Sequence, residues 1–512
     1  SRQTVYTYDA SGEYLLNALF YDGSDLAYTY ELGGTLAQRH ALTSITFSGD
    51  THQHFDWHDT GRLAAIHRDG GAEPVSWTYG GSGQVFIADA FGETSSYYLN
   101  QDGLLVRATD PQGDEMRLLY DGDNSLTGVI DPAGKSYRYA YDGTGNLTQM
   151  TDPLGYVTRL SYDGPYNRLT TLVDANGNIT RYDYEADGDL TNITYDDLSS
   201  ETWTYDESGN PTSWVNRRGN GLPDDPAHPP RIDEHIINYE YDDAGRLAAK
   251  AYADGSLVEY YWDGRGNLDY TIDDSGRTDF TYDEDNFLIR IDYPGSDAYP
   301  DGHFLEYTWD DAGRRTSLTN ELGDVQYYHY GDAGRLESMT DEEGDLIVRY
   351  EYDVAGRMKK KTLGNGVYTT YTYTDAWELD VLSNRMPDGT ILSQFDYEYD
   401  SRGRRVAMTT TYGQSDDPRE AAGYEGRWDY EYDDLGQLIA WQDPTGHRVE
   451  YVYDALGNRV MVTEDGVVTD YTTNTLNQYT QVGDTTYTFD LDGNLTREDN
   501  ADGSWTQYTY ND

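Results

Sequence analysis

Along most of this chain, short runs alternate apolar and polar residues, and each run stops at an Asp-x-x-Gly stretch. In YEYDVAGRM (350–358), Tyr350 and Tyr352 share one face of a strand because side chains alternate with period two. The position between them is usually polar, as at Glu240, Glu351 and Glu398. Asp353 and Gly356 fall at the first and last places of a type I turn, where those residue types are favoured. Half a repeat later a second turn follows, as DPQG (110–113), DPAG (131–134), DPLG (152–155) and DPTG (443–446). Proline in second place has the φ that such a turn needs. The pattern predicts strand, turn, strand, turn, and no helix.

Aligned on Tyr-Asp-x-x-Gly-x-Leu, the Asp position recurs at Asp121, Asp142, Asp163, Glu185, Asp206, Asp242, Asp263 and Asp283. It continues at Asp310, Gly331, Asp353, Thr374, Asp400, Asp433, Asp454 and Asp490. Weaker copies stand at Asp9, Glu31, His58, Gly80 and Asn100. About 23 copies, hence about 46 strands, cover the chain as one continuous array over 1–512. The repeat residues expected to carry the architecture are Tyr141, Asp142, Gly145, Tyr162, Asp163, Tyr241, Asp242 and Gly245. Tyr352, Asp353, Gly356, Tyr399, Asp400, Tyr432, Asp433, Gly436, Tyr453, Asp454 and Gly457 complete the set.

A strip of that many strands, at ~4.8 Å each, would be on the order of 220 Å wide. Open sheets beyond about ten strands curl or split. The expectation is therefore an all-β hairpin strip coiled into a hollow spiral, with a stack of small sheets as the alternative. In a wall one sheet thick, aromatic neighbours on adjacent strands would have to supply the packing, as ladders of Tyr-x-Tyr.

YEYDVAGRM, YEYDDAGRL (239–247), YVYDALGNRV (451–460) and YTTNTLNQYTQVGDTTYTFDLDGNLT (471–496) resemble the YD-repeat, or Rhs (rearrangement hotspot), family. The resemblance covers nearly the whole chain. It implies a hollow shell like those that enclose a C-terminal toxic domain in polymorphic toxins and in the C component of toxin complexes; teneurins use a similar shell in adhesion. The chain departs from the toxin-type pattern in lacking the autoproteolytic core segment and a plug domain, so the resemblance supports a shell without establishing a toxin.

The period is interrupted at 217–236, where four prolines lengthen one step to 36 residues, and at 293–303, 385–395 and 412–428. Such insertions are expected as surface loops. The start and end both fall inside a repeat, which leads to the expectation of open strand edges able to pair with another chain.

Net charge is −57, with five lysines against 31 arginines. The turns consume aspartate, but the lysine shortage points further, to a salty environment where acidic surfaces stay hydrated. The same field excludes nucleic acid as a partner, since a binder needs a basic stripe. Cysteine is absent, and no apolar run is long enough to span a membrane.

Chemistry-bearing motifs are few. His52, His54, Asp56 and His58 alternate onto one strand face, about 7 Å apart, so His52 and His54 are a weak metal candidate. His58 also occupies the turn-heading position. Asp490, Asp492 and Asn494 open like a calcium loop, but Leu495 and Ala501 stand where glycine and glutamate belong. No nucleophile elbow, zinc-protease motif or phosphate loop occurs. Carboxylate pairs such as Asp242/Asp243 are turn residues. The sequence thus reads as a non-enzymatic shell segment of a large secreted or cell-surface protein, needing no cofactor and enclosing a polypeptide or its own flanking domains. An adhesion or filament module is the alternative.

Overall fold

The computed structural model describes residues 4–20, 25–47, 51–222, 230–284, 286–296, 302–310, 312–331, 333–413 and 425–510. They form 45 strands in one sheet, with one four-residue helix, Arg217–Asn220, and two short 3-10 turns. Successive strands pair antiparallel, as Ser136–Tyr141 does with Leu147–Thr151, and that strand in turn with Val157–Tyr162. The all-β hairpin array read from the pattern is what forms. The chain divides into two compact units, one of Ser1–Arg117, Tyr261–Glu398 and Met408–Glu425, the other of Leu118–Tyr260, Tyr399–Ala407 and Gly426–Asp512.

The two turns of a repeat share a backbone but not a register. At Asp353, the Gly356 amide donates to the Asp353 carbonyl at 2.9 Å, and the Asp353 amide donates to the Arg357 carbonyl at 2.9 Å. Gly356 has φ +81°, the left-handed conformation that closes this kind of hairpin and that favours glycine. The mid-repeat turn at Asp152 makes the same two bonds, at 3.0 and 3.1 Å. The Tyr-Asp turn is usually preceded by a bulge, which mid-repeat turns mostly lack: Glu351 faces Lys360, but Tyr352 faces Met358. The same shift recurs at Tyr141, Tyr162, Tyr184, Tyr241, Tyr432 and Tyr453. Each such bulge adds local twist to the strip.

The sheet has a covered and an open face. In Ser136–Tyr141, Tyr137, Tyr139 and Tyr141 are half-buried while Arg138 and Ala140 are exposed. Few apolar side chains are fully buried among the described residues: Ala18, Val215, Val348, Ala407, Ala440 and Val449. The anticipated tyrosine ladder is only partly realised. Ring pairs such as Tyr261–Tyr270 at 4.2 Å occur, but register more often sets an aromatic ring opposite an aliphatic chain. Tyr139 faces Met150, Tyr182 faces Ile193, Tyr307 faces Leu318 and Tyr371 faces Leu382. In these hairpins the aromatic ring stands on one strand and the aliphatic side chain on the other, whereas Trp203 faces Trp214 and Tyr430 faces Trp441.

Near 385–395 the extra residues lie in the strands, which run Leu379–Arg385 and Ile391–Tyr399 around an ordinary turn at Met386–Gly389. The interruption there is a lengthened hairpin and not a loop, because alternation persists through ILSQFDYEY. The middles of the interruptions at 217–236, 293–303 and 412–428 lie outside the described residues.

Candidate functional site

The repeat joint is the structure's most repeated arrangement of polar groups. The heading aspartate uses one oxygen to hold the turn. Asp353 Oδ1 accepts from the Ala355 amide at 3.0 Å and the Arg357 amide at 2.9 Å. Its Oδ2 accepts from Arg357 Nε at 2.8 Å. Asp242 with Arg246, Asp400 with Arg404, Asp433 with Gln437 and Asp454 with Asn458 repeat the scheme. In the Tyr162–Asp163 repeat the turn is one residue longer, and Asn167 at φ +57° takes the place of glycine. The fifth turn position is thus a working position that the Tyr-Asp motif alone does not advertise.

That fifth residue also reaches the next repeat. The Arg404 guanidinium lies 5.0 Å from the Tyr432 ring centroid, and its Nη1 donates to the Asp433 carbonyl at 2.9 Å. Arg357 stands 4.6 Å from the Tyr373 ring and Arg168 4.9 Å from that of Tyr184. Each such contact contributes about 0.5–1 kcal/mol where partly exposed. The motif tyrosine closes the joint from the other side. Its hydroxyl donates to the carbonyl of the residue that opens the return strand of the preceding repeat: Tyr141 to Leu126 at 2.9 Å, Tyr241 to Pro211 at 3.0 Å, Tyr352 to Leu336 at 2.8 Å, Tyr432 to Arg405 at 2.8 Å and Tyr453 to Leu438 at 2.7 Å. Trp309 does the same to Leu288 through its indole nitrogen. Burial pushes the hydroxyls of Tyr241, Tyr352, Tyr432 and Tyr453 up, so they remain protonated donors. Tyr352→Phe should cost about 1 kcal/mol, read as roughly fivefold faster amide exchange around Leu336. Unchanged exchange would show that the hydroxyl does not hold the joint.

A second set of contacts joins segments far apart in sequence. In the first unit, Trp377 Nε1 donates to Asp89 Oδ2 at 2.7 Å across 288 residues, Arg335 Nε pairs with Glu73 at 2.7 Å, and Arg357 lies 4.7 Å from the Phe91 ring. In the second unit, Arg402 pairs with Asp131 at 2.9 Å, Lys135 with Asp434 at 2.8 Å, and Asn176 Nδ2 donates to Asp454 at 2.9 Å. Asp492 accepts from Asn216 Nδ2 at 2.9 Å and from the Arg218 amide at 3.1 Å. One rule covers both units: turns or their flanks at mid-repeat in the earlier segment meet Tyr-Asp turns in the later one. Two stretches of strip therefore lie edge to edge within each unit. The helix Arg217–Asn220 belongs to this seam; Asn216 caps it by accepting from the Gly219 amide at 2.9 Å.

Beside that helix the second unit holds a cavity of about 650 Å³, lined by Tyr195, Glu201, Trp214 and Asp492 among others. Glu201 accepts from Tyr195 at 2.7 Å and from Trp214 at 3.1 Å. Tyr195 and Trp214 thus both direct their donors to Glu201.

The histidine stretch resolves differently from its sequence pattern. His58 heads a turn, its carbonyl accepting from the Gly61 amide at 2.8 Å, as its position implies. Asp56 stands 3.6 Å from His67. His52 and His54 do converge, but on Asp69, which follows the neighbouring strand Leu63–Arg68.

A family model described as RHS Repeat matches residues 120–157, 141–179, 309–346, 330–367 and 432–469. No curated protein sequence matches the chain. Among solved structures, the chain is similar to one in the Photorhabdus luminescens Tc holotoxin pore carrying a TccC3 mutation. There the TM-score is 0.57 at 14% identity, over 97% of this chain and 37% of that one. A TcdB2–TccC3 crystal structure gives a TM-score of 0.48 at 13% identity, over 99% of this chain and 38% of that one. The chain thus spans well under half the length of these relatives. No helix among the described residues is long and apolar enough to cross a membrane.

Proposed function

We propose that this chain, an array of RHS repeats with the fold seen in a Tc holotoxin pore, is a wall segment of a hollow shell that encloses a polypeptide payload. The carrying observation is the edge-to-edge seam within each unit, at separations such as 274–288 residues. Residues 1–512 act as one continuous wall. A strip of this many strands, at ~4.8 Å each, is far too wide to stay flat, and a wide coil of sheet encloses space that side chains cannot fill. The chain's part is mechanical: tyrosine hydroxyls and fifth-position arginines tie repeat to repeat, and the turn rows tie one course of wall to the next. It performs no catalysis itself and needs no cofactor. Its place is a secreted or cell-surface protein, in a salty setting suited to 93 acidic side chains. The payload is a flanking domain of the same protein, of the toxin type.

Electron cryo-microscopy of the full-length protein tests this reading. The expected density is a continuous β-wall around a lumen, with the flanking domain protected from added protease while the wall is intact. A filled centre, or a flanking domain cleaved as fast as the free domain, would overturn it.

A further inference from the structure

We propose that His52, His54 and Asp69 form a binding site for a divalent transition-metal ion of the zinc class. Nothing in the shell reading requires this site, and it stands or falls separately. His52 and His54 lie two residues apart on the strand Thr51–Trp57, so their rings point to one face. The hairpin closed by the His58 turn sets Gln53 opposite Arg68 and His54 opposite His67. That register brings Asp69, one residue beyond the return strand, beside His52.

The donor geometry suits one ion. One nitrogen of each imidazole and one carboxylate oxygen all lie within 4.8 Å of one another. Asp69 Oδ1 is 3.0 Å from His52 Nδ1 and 3.2 Å from His54 Nε2. Ligands at zinc distances on tetrahedral corners stand ~3.3 Å apart, so the oxygen already sits near its place relative to both nitrogens. The support around the donors is built in. The His52 amide donates to Asp69 Oδ2 at 2.8 Å, which fixes the carboxylate while Oδ1 faces the imidazoles. His54 is stacked between His52, at 5.6 Å, and His67, at 5.0 Å, which fixes its ring plane. Each of the three side chains is about a third exposed, with His52 and His54 at 34% and Asp69 at 31%, so an ion can enter from solvent. Two imidazoles and one carboxylate favour zinc, cobalt or nickel over magnesium and calcium, which prefer all-oxygen sites. The fourth position is left to water.

The test is calorimetric titration of the intact chain with zinc chloride, in excess magnesium chloride to occupy scattered carboxylates. One zinc per chain is expected in the micromolar range. His54→Ala and Asp69→Asn should each weaken it at least tenfold, while His329→Ala, in a remote strand, should leave it unchanged. Cobalt chloride gives a second readout: a visible absorption band that His52→Ala/His54→Ala abolishes. Circular dichroism of the variants shows whether the fold persists. Zinc uptake without a stoichiometric step, or uptake equal in His54→Ala and the unsubstituted chain, would overturn the site.

Discussion

Asp492→Ala is expected to open the seam of the second unit by about 2–4 kcal/mol, which speeds local amide exchange across 214–220 by roughly two orders of magnitude. The size follows from what the alanine would strand. Asp492 accepts from the Asn216 side chain and from the Arg218 amide, and it pairs with the Arg218 guanidinium at 2.5 Å. Asp492 is 16% exposed and Arg218 22%, so water replaces the lost acceptor only in part. Removing one partner of a largely buried pair costs more than the pair's net worth, and Asp490, 3.7 Å from the Arg218 guanidinium, replaces the lost carboxylate only in part. Asp492→Asn keeps an acceptor and should recover part of the loss. Arg402→Ala tests the same seam at Asp131, where both side chains are 12% exposed. Exchange measured by mass spectrometry separates the outcomes. Protection around 214–220 that is unchanged in Asp492→Ala would mean the courses of wall are held by something other than these turn contacts.

The hairpins were legible because every cue for them is local. Alternation, Asp at the head of a turn and glycine at its end all lie within ten residues, and Tyr350 to Met358 shows each of them. What the Tyr-Asp motif concealed was the reason for its tyrosine. Tyr352 bonds a carbonyl 16 residues earlier, and the partner is backbone, which leaves no trace in residue type. The arginine at the fifth place could have been noticed, since DVAGR, DDAGR and DSRGR repeat it. The seam could not, because Asp89 and Trp377 look like ordinary turn residues until the strip brings them together. The histidines show the same limit at short range. His52 and His54 were visible as a same-face pair, but Asp69 enters only through the register of a neighbouring strand. Asp56, chosen for its spacing, stands by His67 instead.

Stability should pass through a maximum on the acid side of neutrality, and added salt should matter above that maximum far more than at it. Two effects of opposite sign produce this. At pH 7 the chain carries a net charge of −57, and its self-repulsion opposes compaction. Protonating exposed carboxylates as the pH falls toward about 4.5 relieves that repulsion, and molar salt does the same at pH 7 by cutting the screening length to about 3 Å. The turn aspartates then act in the opposite direction. The Ser11 side chain and neighbouring amides hold Asp9 down to about 2. Thr144 lowers Asp142, the Asn210 side chain lowers Asp206, and Arg246 lowers Asp242. A carboxyl whose folded pKa lies below its unfolded value stabilises the fold above the unfolded value, about 3.9, and that stability is lost as pH falls toward the folded one. Acid unfolding should therefore set in below about pH 4 and be steep, because lowered carboxyls recur in several turns, those of Asp163, Asp263, Asp400 and Asp454 among them. Thermal melts in low and 1 M sodium chloride, at pH 7 and pH 4.5, give the readout. At pH 7 salt should raise Tm by on the order of 10 °C, and at pH 4.5 by much less. Asn100 and Asn474 already head turns through the same two amide bonds. Asp142→Asn and Asp206→Asn should accordingly preserve the turns while making the acid limb shallower. A Tm at pH 7 that is flat or falls with salt would rule out repulsion as the opposing force. An acid limb unchanged by the asparagine variants would take the turn carboxylates out of the account.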